Sequence, residues 1–97
     1  MRSGPFVWNM AIAVIPSLLR KHTSGRDRIE VRGRNVREIL ADLDRQFPGF
    51  SAHLIEDGDL KGSIAVSIDG EVATAGLLEP VPENSVVHFL PAIGGGS

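Results

Sequence analysis

Gly94, Gly95 and Gly96 stand in a row next to the last residue, Ser97, with Pro91, Ala92 and Ile93 before them. Glycine loses more backbone entropy on ordering than any other residue and has no side chain to pack. Three together beside a terminus add reach and slimness rather than stability. The chemistry this suits is acyl activation in trans. A bare tail threads a narrow channel and offers its terminal carboxylate to another protein's active site. Residues 92–97 are therefore read as a flexible C-terminal tail.

No other residues are arranged for chemistry of their own. His22, His53 and His88 are isolated in sequence; none has a partner at metal-ligand spacing or a serine and acid beside it. Each is expected at the surface or its boundary, and no metal is expected. Gly94–Gly96 is no phosphate loop, because no helix or Lys-Ser/Thr follows. The absence of cysteine excludes disulfides, iron–sulfur clusters, thiolate zinc sites and a cysteine nucleophile. The chain reads as no enzyme, so a partner must supply the catalysis.

The 97 residues amount to one domain, and a net charge of −2 gives no reason to expect nucleic acid. The charge is uneven. Arg20, Lys21, Arg26, Arg28, Arg32, Arg34 and Arg37 face only Asp27 and Glu30, whereas Glu56, Asp57, Asp59, Asp69, Glu71, Glu79 and Glu83 face a single Lys61. Such asymmetry either steers a charged partner or marks solvated edges. The apolar run Met10–Leu19 is too short to span a membrane and is broken by Pro16. A cytoplasmic protein is expected.

The elements that would hold the tail follow from pattern. Trp8–Ile15 is almost continuously apolar, as in a strand covered on both faces. A helical turn is expected over Ser17–Thr23. Arg28–Arg32 alternates, with Ile29 and Val31 inward, and is expected to run antiparallel to the first strand. Asn35 caps the one main helix, with Glu38 completing a capping-box pair. Its stripe is Val36, Ile39, Leu40, Leu43 and Phe47, with Arg37, Asp42, Asp44 and Arg45 on the wet side. Pro48-Gly49 ends it. Phe50–Gly62 is read as a connection with acidic tips. Ile64, Val66 and Ile68 alternate into a tight hairpin turn at Asp69-Gly70. Glu71-Val72 starts the return, and Val86–Leu90 is the last strand. One helix on one face of a mixed sheet of four to five strands is an α+β roll. Residues 1–9 are expected to form a loose N-terminal extension, 10–91 the domain and 92–97 the tail; Met10 is itself a candidate initiator.

The segment Ile29–Leu40 and the ending Val87-His88-Phe89-Leu90-Pro91-Ala92-Ile93-Gly94-Gly95-Gly96 resemble the MoaD/ThiS-like β-grasp sulfur carriers. That family includes the molybdopterin synthase small subunit, the thiamine sulfur carrier and the cysteine-synthesis carriers. The resemblance covers nearly the whole chain from Met10, and the ending is its specific part. It implies a ubiquitin-like β-grasp roll. It also implies a partner, an adenylating enzyme related to the ubiquitin activators, that spends ATP on the terminal glycine. A sulfur donor then makes the thiocarboxylate, and a sulfur-accepting synthase consumes it. The carrier binds no ATP or other cofactor itself. Registered on Pro91, the family's diglycine falls on Gly95 and Gly96, leaving Gly94 and Ile93 as tail. Ser97 departs from the pattern. Three readings stay open: a peptidase removes Ser97, the residue is an addition to the natural chain, or the member no longer carries sulfur.

In the last strand His88 marks the outer set, which puts Leu90 outside at the root of the tail beside Pro91. Leu90 is thus a candidate contact for the activating enzyme, or it merely closes the edge of the core. Beside the dedicated carrier stand a molybdopterin synthase subunit, a protein-tagging modifier and a plain ubiquitin-like interaction module that ignores its glycines.

Overall fold

The computed structural model describes residues 9–91. The strands are β1 (Met10–Val14), β2 (Arg28–Arg32), β3 (Ile55–Glu56), β4 (Asp59–Leu60), β5 (Ile64–Ile68), β6 (Glu71–Val72) and β7 (Val86–Pro91), and the main helix is α1 (Val36–Gln46). Short 3-10 helices cover Ser17–Thr23, Phe50–His53 and Gly76–Leu78. Five strands make one mixed sheet in the order β2-β1-β7-β5-β6, with β1 and β7 parallel and the remaining pairs antiparallel. This is the expected α+β roll. The strand before the tail, β7, lies at the sheet's centre.

The alternation along each strand puts one row on α1. Ala11, Ala13, Ile29, Val31, Val66, Ile68, Val87 and Phe89 meet Val36, Ile39, Leu40 and Leu43 in a shared core. Burying that apolar area is the main favourable term of the fold, at roughly 25 cal/mol per Å². The first strand was expected to be covered on both faces. Among the described residues only its inner row is fully buried; Met10, Ile12 and Val14 are half-buried on a face that carries no helix.

Helix α1 starts as its sequence directs. The Asn35 side chain accepts from the Glu38 N–H at 2.9 Å, and Glu38 Oε1 accepts from the Arg34 N–H at 2.7 Å. The reciprocal arm of the capping pair thus reaches one residue further back than expected.

Asp42, read as solvated, is instead buried. The cause is the free edge of β2. Asp42 Oδ2 accepts from the Arg32 N–H at 3.1 Å, and Gln46 Nε2 donates to the Glu30 carbonyl at 3.0 Å. Two side chains of the helix thereby occupy backbone groups that would otherwise template another strand.

Residues 50–62, read as a plain connection, hold a 3-10 turn and a two-residue hairpin. Phe50 and Leu54 are buried there and extend the core beyond the helix. Asp44 ties this segment to α1. Its Oδ1 accepts from the Gly49 N–H, the Ser51 N–H and the Ser51 hydroxyl, each at 3.1 Å. The Ser51 bonds, chiefly its backbone N–H, hold the Asp44 carboxyl below the ordinary aspartate value of 3.8. A depressed carboxylate pKa contributes stability that is fully present above the unfolded pKa and is lost as pH falls through the folded one. The stability advantage of the native chain over Asp44→Asn is therefore expected at pH 7 and to shrink below pH 3.8. Urea unfolding of both proteins at neutral and acid pH checks this.

Candidate functional site

The site is the exit of the chain from β7. Pairing with β1 ends at Val14 opposite His88, because Pro16 closes that strand, whereas pairing with β5 continues to Ile64 opposite Pro91. The last three residues of β7 therefore run on past β1, held along one edge only. Pro91 has a fixed φ and no N–H, so it cannot donate to a further ladder bond.

Burial along β7 alternates as expected. Val87 and Phe89 are buried, Val86 and His88 are half-buried, and Leu90 is 41 % exposed. Leu90 thus stands outside the core and does not close its edge. Ala92, Ile93, Gly94, Gly95, Gly96 and Ser97, the expected tail, lie outside the described residues.

Sheet register extends the site beyond β7. On the outer face Ile12 stands beside Val86, Val14 beside His88, Ala65 beside Leu90, and Ser67 between His88 and Val72. Val72 is 69 % exposed. Together with Leu90 these residues form an aliphatic patch around His88 at the root of the tail. Sequence reasoning named Leu90, His88 and Pro91 as candidate contacts; the register sets Ile12, Val14 and Val72, which it did not name, on the same face. The available signal was the continuous apolar run of β1.

The histidines are not all isolated. The rings of His22 and His53 stack with centroids 3.7 Å apart and planes 21° apart, although 31 residues separate them. Partial desolvation, then the positive charges of His53 and Lys21, hold the His22 pKa below 6.5. Among the described residues no three His, Asp or Glu side chains gather as a metal site would require, and no helix is long and apolar enough to cross a membrane.

The comparisons with known proteins agree with this geometry. The ThiS family model matches residues 14–96. The sulfur carrier protein CysO of Mycobacterium tuberculosis is 28 % identical over 87 residues, covering 84 % of this chain and 94 % of CysO. A chain of the BexX/CysO complex of Amycolatopsis orientalis superposes with a TM-score of 0.81 at 32 % identity, over 89 % of this chain and 99 % of that one. The small archaeal modifier protein 1 of Methanosarcina acetivorans shares the fold, with a TM-score of 0.75 at 23 % identity over 94 % of this chain and 100 % of its own. With its β-grasp sheet, its aliphatic exit face and a family match running through Gly96, this chain belongs to the ThiS family of sulfur carriers.

Proposed function

We propose that this protein is a sulfur carrier loaded at Gly96 after Ser97 is removed. The observation that supports the reading best is the exit of β7. A central strand outruns its neighbour, stops at Pro91, and continues in sequence into three glycines beside an exposed aliphatic patch. The sulfur carrier CysO and the BexX/CysO complex among the similar proteins agree with it.

Loading would proceed in two steps on a partner related to the ubiquitin activators. A Gly96 carboxylate oxygen attacks the α-phosphorus of ATP, and pyrophosphate leaves. Sulfide from a donor then attacks the acyl carbon, and AMP leaves with its phosphate oxygen, giving a thiocarboxylate. A downstream synthase takes the sulfur. The carrier is substrate throughout, contributes no catalytic residue, binds no nucleotide, and acts in the cytoplasm. A residue joined to Gly96, as Ser97 is, blocks the first step because the Gly96 carboxyl is then a peptide carbonyl, so a peptidase sets when loading begins. Intact-mass measurement after incubation with the cognate activator, ATP and sulfide tests the reading. One oxygen replaced by sulfur on the chain ending at Gly96 is expected; no exchange on any trimmed form overturns it.

Docking on the activator should use the patch. Leu90→Asp is expected to weaken binding to the activating enzyme by about tenfold, as for an apolar contact worth more than about 1 kcal/mol. Its stability should stay within about 0.5 kcal/mol, because the side chain is not in the core. Titration calorimetry and thermal unfolding of the same variant separate the two effects.

A further inference from the structure

A second surface, at the end of β2 beside α1, carries unpaired positive charge. Arg32, Gly33, Arg34, Glu38, Ala41, Asp42 and Arg45 line an open trough of about 470 Å³ between the end of β2 and helix α1. We propose that this trough binds an extended acidic segment of a partner protein, with the three arginines holding successive carboxylates.

The lining shows why the arginines are available. Glu38 Oε1 accepts from the Arg34 N–H, and Asp42 Oδ2 accepts from the Arg32 N–H and Gln46 Nε2. The other Asp42 oxygen pairs with Arg45. Both carboxylates are thus engaged in the fold, by two backbone N–H groups and two side chains. The Arg45–Asp42 contact is the only ion pair among the described residues, so the guanidinium groups of Arg32 and Arg34 have no carboxylate partner there. Arg45 remains largely exposed and keeps donors to spare.

The shape selects the occupant. Glu38, Ala41, Asp42 and Arg45 follow one helical stripe at intervals of three and four, so the trough runs for roughly 10 Å along α1. Arg34 is anchored on Glu38, Arg32 on Asp42 one turn later, and Arg45 lies a turn beyond. A spaced row of charges over small floor residues, Gly33 and Ala41, fits an extended chain whose alternate side chains repeat every ~7 Å. It does not fit a compact phosphate. Strand addition is not the mode, because Asp42 and Gln46 already occupy the edge of β2. Recognition falls to side chains, where arginine meets carboxylate in a fork.

The test uses the full chain labelled with nitrogen-15, titrated with a hexaglutamate peptide, a hexaglutamine control, and inorganic phosphate. The expected result is amide shifts confined to Arg32–Arg34 and Ala41–Arg45 with hexaglutamate. They should weaken as salt rises from about 0.01 M to about 0.1 M, which cuts the Debye length from about 30 Å to about 10 Å. The double variant Arg32→Gln and Arg34→Gln is expected to bind about fivefold more weakly or worse, as for two exposed charge pairs. Arg37→Gln, outside the trough, should change affinity far less. Scattered shifts, equal shifts with hexaglutamine or phosphate, or native affinity in the double variant would each overturn the proposal. The spectra report the fold of each variant directly. Failure here leaves the sulfur-carrier reading untouched, because the tail takes no part in the measurement.

Discussion

Deleting Gly94–Ser97 is expected to abolish sulfur loading while leaving the fold and its stability in place. Among the described residues the buried apolar core runs from Ala11 to Phe89. Loss of three glycines and a serine, which carry no apolar side chain, is expected to change stability by no more than about 0.5 kcal/mol. Loading needs reach and a carboxylate on an unbranched glycine; the truncated chain is four residues shorter and presents its carboxylate on the β-branched Ile93. Two further forms make the test specific. A chain ending at Gly96 should load at once, whereas the chain ending at Ser97 should load only after a peptidase has acted. Gly96→Ala in the trimmed chain should lower the loading rate by about 100-fold, the scale expected when a reacting group is displaced by about 1 Å. Intact mass over time reads all four proteins, and thermal unfolding confirms that each is folded. A truncated chain that still gained sulfur would place the acceptor elsewhere. A Gly96→Ala chain that loaded at the native rate would remove the argument for a bare acyl end.

What could be read from the sequence was local. Asp69-Gly70 announced its hairpin, and both residues have the positive φ such a turn requires, 51° and 90°. Asp69 does more than turn: its Oδ1 accepts from the Val86 N–H at 2.8 Å and so fixes where β7 begins. Asn35 and Glu38 announced the helix start, and the alternation of Val86–Leu90 announced which side of β7 faces solvent. A second Asp-Gly pair, Asp57-Gly58, carries the same signal with φ of 55° and 80°. Its flanking strands are two residues long and show no period, so the pair alone does not mark a hairpin. Non-local contacts were beyond the sequence. Nothing in the polar face of α1 says that Asp42 meets the edge of β2, or that His22 finds His53. The proposed loading chemistry is the reverse case: it rests on Gly94–Gly96 in the sequence, and the described structure contributes the end of β7 at Pro91.

Gly33→Ala is expected to be the most damaging single-methyl change in the domain. The residue sits where β2 passes beneath the first turn of α1. A Cβ placed there would lie 2.7 Å from Glu38 Cβ, 2.8 Å from the Ile39 nitrogen and 2.9 Å from the Glu38 carbonyl carbon. Carbon atoms in contact prefer about 3.5–4.0 Å, so each of these approaches is strongly repulsive. Two of the three atoms are backbone and cannot rotate away. The helix cannot step back as a body either, since Val36, Ile39, Leu40 and Leu43 are packed in the core on the same element. Relief must come from the junction itself, where the Arg32 N–H meets Asp42 and the Arg34 N–H meets Glu38. Overpacking of a close-fitted site costs about 1–3 kcal/mol, and this geometry places the substitution at the upper end. For a domain of this size that is a fall in Tm of roughly 15 °C. Urea unfolding gives the free energy, and a loss below about 1 kcal/mol would show that α1 can lift from β2. The amide positions of Arg32–Arg34 and Glu38–Asp42 should move in the same variant. The contact that lets strand and helix approach is also the floor of the arginine trough.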